Sequence, residues 1–142
     1  MPLLACATVV TGSRRTFTRL RYVFATIVVI GVFAQVYLIA SYAFGAADAL
    51  DAHKSVGSAV HGFETLVFLA ALGASWGSWG ALALSFSVPL IGTLQIALGN
   101  REDVDASGWV HGLHGLLALV IMVIAVVIIH RDARALRGTP AH

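Results

Sequence analysis

Three long stretches of this chain carry no charged side chain: Tyr22 to Ala47, Thr65 to Asn100 and Ala106 to Ile129. A helix rises about 1.5 Å per residue and needs roughly 20 apolar residues to cross the hydrocarbon core of a bilayer, so each stretch is long enough to span. The middle one suits either one very long helix or two ordinary ones. Gly73-Ala-Ser-Trp-Gly-Ser-Trp-Gly80 divides it with glycines, serines and two tryptophans, so a tight turn near 74–79 is the better reading. Four spans follow, at about 22–46, 51–73, 79–99 and 108–129. The fold class is all-α, an integral membrane antiparallel four-helix bundle, because only internally hydrogen-bonded helices or closed barrels satisfy the backbone in lipid. The chain reads as one domain, 1–142, with flexible tails at 1–15 and 135–142.

Composition supports lipid as the solvent. Hydrophobic residues make up 58% of the 142 residues and charged ones 11%, with a mean hydropathy of +0.87. A soluble domain of this size leaves too much surface in water to hide that much apolar area. Cys6 is alone, so one chain forms no disulfide and no thiolate cluster. Net charge is only +2, and the basic residues lie in the tails rather than on a nucleic-acid-binding face. No phosphate loop, nucleophile elbow or zinc-protease motif is present.

Basic residues also give direction. Arg14, Arg15, Arg19 and Arg21 precede the first span, and Arg131, Arg134 and Arg137 follow the fourth. The connections on the other side hold only Lys54 and Arg101, among Asp48, Asp51, Glu102, Asp103 and Asp105. The positive-inside rule then places both termini in the cytoplasm and the acidic loops outside, in a multi-pass protein of the cell membrane.

Histidines carry the chemistry. His53, His61, His111 and His114 gather at the outer ends of spans two and four. Ionisable groups inside a span are costly and tend to face the bundle interior. One reading is a b-type haem held by two neutral imidazoles, one from each span, for electron transfer. A flat porphyrin beside its helices favours a small residue one turn beyond each ligand, which His53 with Gly57 and His111 with Gly115 provide. Depth instead favours His61 with His111, or His61 with His114, since His61 lies seven residues past Lys54 and His111 six past Asp105. A second reading is a metal ion without porphyrin, held by His61, Glu64, His111 and His114, each pair spaced three apart along its helix. Glu64 and the histidines also suit a small metal or proton transporter. A third reading is an accessory subunit whose polar groups only hold helices together. Spacing leaves these open. Gln35 and Gln95, each ahead of an outer loop and a histidine-bearing span, suggest an internal duplication. In the first match Val60-His61-Gly62-Phe63 echoes Val110-His111-Gly112-Leu113. A competing match sets His53-x-x-x-Gly57 against His111-x-x-x-Gly115.

The order Gln35, Asp51-Ala52-His53-Lys54-x-x-Gly57, Gln95 and His111-x-x-x-Gly115-Leu116-Leu117 resembles a family of small, uncharacterised four-helix membrane proteins of actinobacterial type. More distantly it is similar to one four-helix half of haem A synthase, over roughly residues 22–131. The resemblance implies haem ligation by His53 and His111, with a quinol, a second haem protein or a redox membrane complex as electron partner. Lys54 stands where that family usually has arginine, and His114 where it has asparagine. The resemblance does not carry over haem-modifying activity, which belongs to an eight-helix enzyme. Homo- or hetero-oligomers are compatible with all of this.

Overall fold

The computed structural model describes residues 2–99 and 108–138, with side chains from Gly12 onward. It is all-α: α1 spans Pro2–Ala43, α2 Ala49–Ala74, α3 Trp79–Gly99 and α4 Gly108–Arg137. All four helices are long and apolar enough to cross a membrane, which makes this a multi-pass membrane protein. Residues 100–107, which include the acidic Glu102, Asp103 and Asp105 expected in an outer loop, lie outside the described residues, as do 139–142.

Helix α1 runs from Pro2, well ahead of its apolar stretch. Proline is tolerated in a first helical turn, where its missing N–H would have no partner, and no second proline stands between it and Tyr22. Helix α4 likewise continues past its apolar stretch to Arg137, whose Nε donates to the Ala133 carbonyl at 3.1 Å. The α2–α3 connection is the short Ser75–Ser78 turn, tightened by Ser75 N–H donating to Ala71 and Ser78 N–H to Ser75. Pro89 sits inside α3 without ending it.

Neighbours in the sequence pack together: α1 against α2, α2 against α3, α3 against α4, with α1 and α4 closing the ring. Among the described residues, neither diagonal pair touches through its backbone. The core is narrow and built of small and branched residues, with Ala25, Val28, Val67, Val88, Ile121, Ala125 and Ile128 at its centre. Large side chains point outward instead, including Ile30, Phe33, Tyr37 and Val123, each at least half exposed. That inversion is what lipid permits, because tails are as apolar as the side chains they touch. Trp76 and Trp79 flank the α2–α3 turn and Trp109 opens α4, all largely exposed, as interfacial indoles are. Ser41, Ser85, Ser87 and Thr93 satisfy their hydroxyls on carbonyls three or four residues back, at 2.8–3.0 Å, as polar residues in apolar helices must.

Candidate functional site

Polar side chains inside the bundle fall into three layers. The layer at the α1–α2 connection holds His53, His114, Gln35 and Gln95. His53 lies one turn into α2 and His114 less than two turns into α4. Their rings face each other across the diagonal, with centroids 6.2 Å apart and planes inclined by 55°. Each ring is tethered in the same way. Nδ1 of His53 donates to the backbone carbonyl of Gln35 at 3.2 Å, and Nδ1 of His114 to that of Gln95 at 2.9 Å. A carbonyl can only accept, so Nδ1 carries the proton in both rings, and in the neutral imidazole Nε2 keeps its lone pair.

This repeats one device in the two halves of the chain. A glutamine near the end of one helix offers its carbonyl to a histidine near the start of the next, eighteen residues on in the first half and nineteen in the second. The shared tether sets His53 against His114, a pairing that neither sequence match selects. The signal was present as the spacing from each glutamine to a later histidine, hidden by the repeated His-Gly strings.

Gln35 does more than lend its carbonyl. Its side-chain Nε2 donates to the His53 carbonyl at 2.9 Å, while its Oε1 is buried without a partner. Gly57 makes room for that amide, because a Cβ there would stand 2.6 Å from Gln35 Nε2. The small residue a turn beyond His53 thus accommodates glutamine. Gly115 has open space where its side chain would be. His111 is exposed and is not part of the His53–His114 pair.

The middle layer joins α2 to α3. Nδ1 of His61 lies 2.8 Å from Oε2 of Glu64, and Nε2 of His61 lies 3.4 Å from the Thr93 hydroxyl. Glu64 is 4% exposed, seated in a notch that only a glycine at position 92 leaves open. A Cβ on Gly92 would overlap the Glu64 carboxylate and stand 2.8 Å from His61 Nδ1. Gly92→Ala is therefore expected to destabilise the bundle by about 1–3 kcal/mol, as overpacking does. Unfolding of the detergent-solubilised protein measures it; an unchanged midpoint would show that the two helices separate freely here.

The layer at the α2–α3 turn is ionic. Arg21 forms a two-pronged pair with Asp132, Nε to Oδ2 at 2.9 Å and Nη2 to Oδ1 at 2.5 Å, and its Nη1 donates to Ser75 Oγ at 2.7 Å. Both charges are buried, at 8% and 1% exposure. One guanidinium so fastens α1, α2 and α4 together. Reading Arg21 as an orientation signal alone misses this, and no spacing rule connects it to a carboxylate 111 residues away.

Among the described residues, no group of three or more His, Cys, Asp or Glu converges as a metal ion would need. His61 and Glu64 pair with each other and with α3, and do not assemble with His111 and His114 into a four-ligand site. What the His53–His114 layer does offer is two imidazoles with their Nε2 lone pairs uncommitted. No family profile, curated protein sequence or solved structure matches the chain, so the resemblance to haem A synthase rests on its short motifs alone.

Proposed function

We propose that the protein holds one b-type haem between α2 and α4 near the outer face, with His53 and His114 as axial ligands, and serves in electron transfer. The observation that carries this reading is the tethered pair of imidazoles. Metal-ligating histidines characteristically donate their other ring N–H to a carbonyl or carboxylate, which fixes the tautomer and the ring orientation. Both rings do so here. The two rings are also neighbours, with centroids 6.2 Å apart.

The chain's own residues do the positioning. The Gln35 and Gln95 carbonyls aim the rings, and the buried Gln35 Oε1 is an acceptor still unused. Lack of contact between the α2 and α4 backbones leaves the diagonal to the side chains that bridge it. When bound, the haem supplies one-electron chemistry. Both rings are part-buried near the helix ends, within about two turns of the proposed outer membrane surface. A quinol or a redox membrane complex is the partner class suited to that depth.

The proposal includes an orientation: antiparallel helices with both termini in the cytoplasm. It is supported by the seven arginines flanking the apolar stretches of α1 and α4. The contacts of Arg21 with Ser75 and Asp132 bring the start of the apolar stretch of α1 to the C-terminal ends of α2 and α4. Protein purified from cells supplied with haem should show sharp b-type bands in a reduced-minus-oxidised difference spectrum. A featureless spectrum from folded protein sinks the reading.

A further inference from the structure

Glu64 lies eleven residues from His53 and eleven from Ser75. At about 1.5 Å per residue it therefore stands midway along α2, roughly 16 Å from each of the other polar layers. Apart from His61, whose Nδ1 is 2.8 Å away, the neighbouring helices bring nothing titratable near it. Helix α1 has no titratable side chain between Tyr22 and Tyr37, α3 has none at all, and α4 has none between His114 and His130. An isolated acid at that depth is costly and is not needed to join α2 to α3, where apolar contacts already serve.

Its hydrogen bonds define where protons reside. The Thr93 hydroxyl spends its one hydrogen on the Pro89 carbonyl at 2.9 Å, so toward His61 it can only accept. His61 Nε2 is then the donor to Thr93, and a single further proton occupies the 2.8 Å gap between His61 Nδ1 and Glu64 Oε2. The pair holds that proton with no net charge, whichever of the two atoms carries it.

We propose that the His61–Glu64 pair is a proton-exchange site inside the membrane, a function separate from haem binding. Glu64 gives its proton to Nδ1, and the doubly protonated ring then releases one from Nε2; uptake runs through the same atoms in reverse. One proton enters or leaves per cycle, and no electron moves. His61 is the member through which exchange passes, since it lies on the His53 side of the acid, three residues nearer that end of α2, and its Nε2 reaches Thr93 while Glu64 is enclosed.

Infrared spectroscopy of the full-length protein in lipid tests this. A carbonyl stretching band of a protonated carboxyl should appear on acidification, fade on alkalinisation and shift in heavy water. Glu64→Gln should abolish it and Glu64→Asp should move it. The aspartate variant also decides the assignment should the glutamine variant fail to fold. The proposal is overturned if no such band appears at any pH, or if the band is indifferent to pH and heavy water. A band unaffected by substitution at position 64 overturns it equally. None of these outcomes depends on a haem spectrum, so the two readings fail separately.

Discussion

Replacing His114 with alanine should abolish the b-type difference spectrum, and His53→Ala should do the same, while His111→Ala leaves it in place. The contrast is sharp because the residues are so close in sequence. His111 and His114 are three apart, so their side chains leave α4 about 60° apart in direction and nearly one turn apart in depth. Only His114 meets His53, at 6.2 Å between centroids, and only His114 is tethered to a carbonyl of α3. Losing one of two axial imidazoles removes a strong bond and the tautomer control that goes with it, and loss of second-shell partners alone typically costs 10–100-fold in affinity. The expected outcome for either ligand variant is colourless or high-spin protein at unchanged expression. Substitutions of the Gln35 side chain should be milder, since the tether uses the backbone carbonyl and survives a change of side chain. If His111→Ala bleaches the protein and His114→Ala does not, the ligand set falls to the His53–His111 pairing that the resemblance implies. Both variants need a folded control, for which retention of helical circular dichroism suffices.

Why the resemblance leads to His111 while the ring that neighbours His53 is His114 has a physical answer. Span existence is a local property: hydropathy, the glycine- and serine-rich break between α2 and α3, and the back-bonding of Ser85 and Thr93 depend on a few neighbouring residues. Four long apolar helices are legible for that reason. Which histidine meets which is not local. It depends on how far each helix is rotated about its axis, and α4 is rotated so that the His114 ring lies over Gly99, 3.1 Å from where a Cβ would be. Repeated short strings such as His-Gly align helices by text, whereas packing aligns them by which residues are small enough to approach. Gly57 makes the same point from the other side, because the neighbour it accommodates is Gln35, a residue on a different helix. The three polar layers were half legible. Each buried group except Asp132 and Ser75 could be singled out by its chemistry, but the partners across helices could not.

Substituting Asp132 with leucine should be the most destabilising single change in the bundle, at about 3–5 kcal/mol, because it strands a buried guanidinium. Arg21 has three hydrogen bonds to other helices in this layer, two of them to Asp132, and the remaining one to Ser75 Oγ cannot neutralise it. At 8% exposure it has little access to water, so the charge must either drag water inward or pull α1 toward the interface. Asp132→Asn should be nearly as damaging, since it preserves shape and some hydrogen bonding but leaves the charge unopposed. The pair itself is a different matter. Removing both charges together, as Arg21→Met with Asp132→Leu, should recover most of the loss, because buried ion pairs offset their own desolvation cost only in part. A double-mutant cycle on unfolding in mixed micelles separates the two quantities. A large coupling with a stable double variant identifies the pair as a register device: it dictates which turn of α1 sits against α4 while adding little net stability. That register matters for the layer above. Helix α1 carries both Arg21 and Gln35, fourteen residues or about 21 Å apart, so shifting α1 by one turn against α4 would carry the Gln35 carbonyl away from His53. The double variant should therefore fold, yet bind haem less uniformly than the wild type, visible as a broadened difference spectrum. A double variant with a wild-type spectrum would assign the register to the small-residue contacts instead.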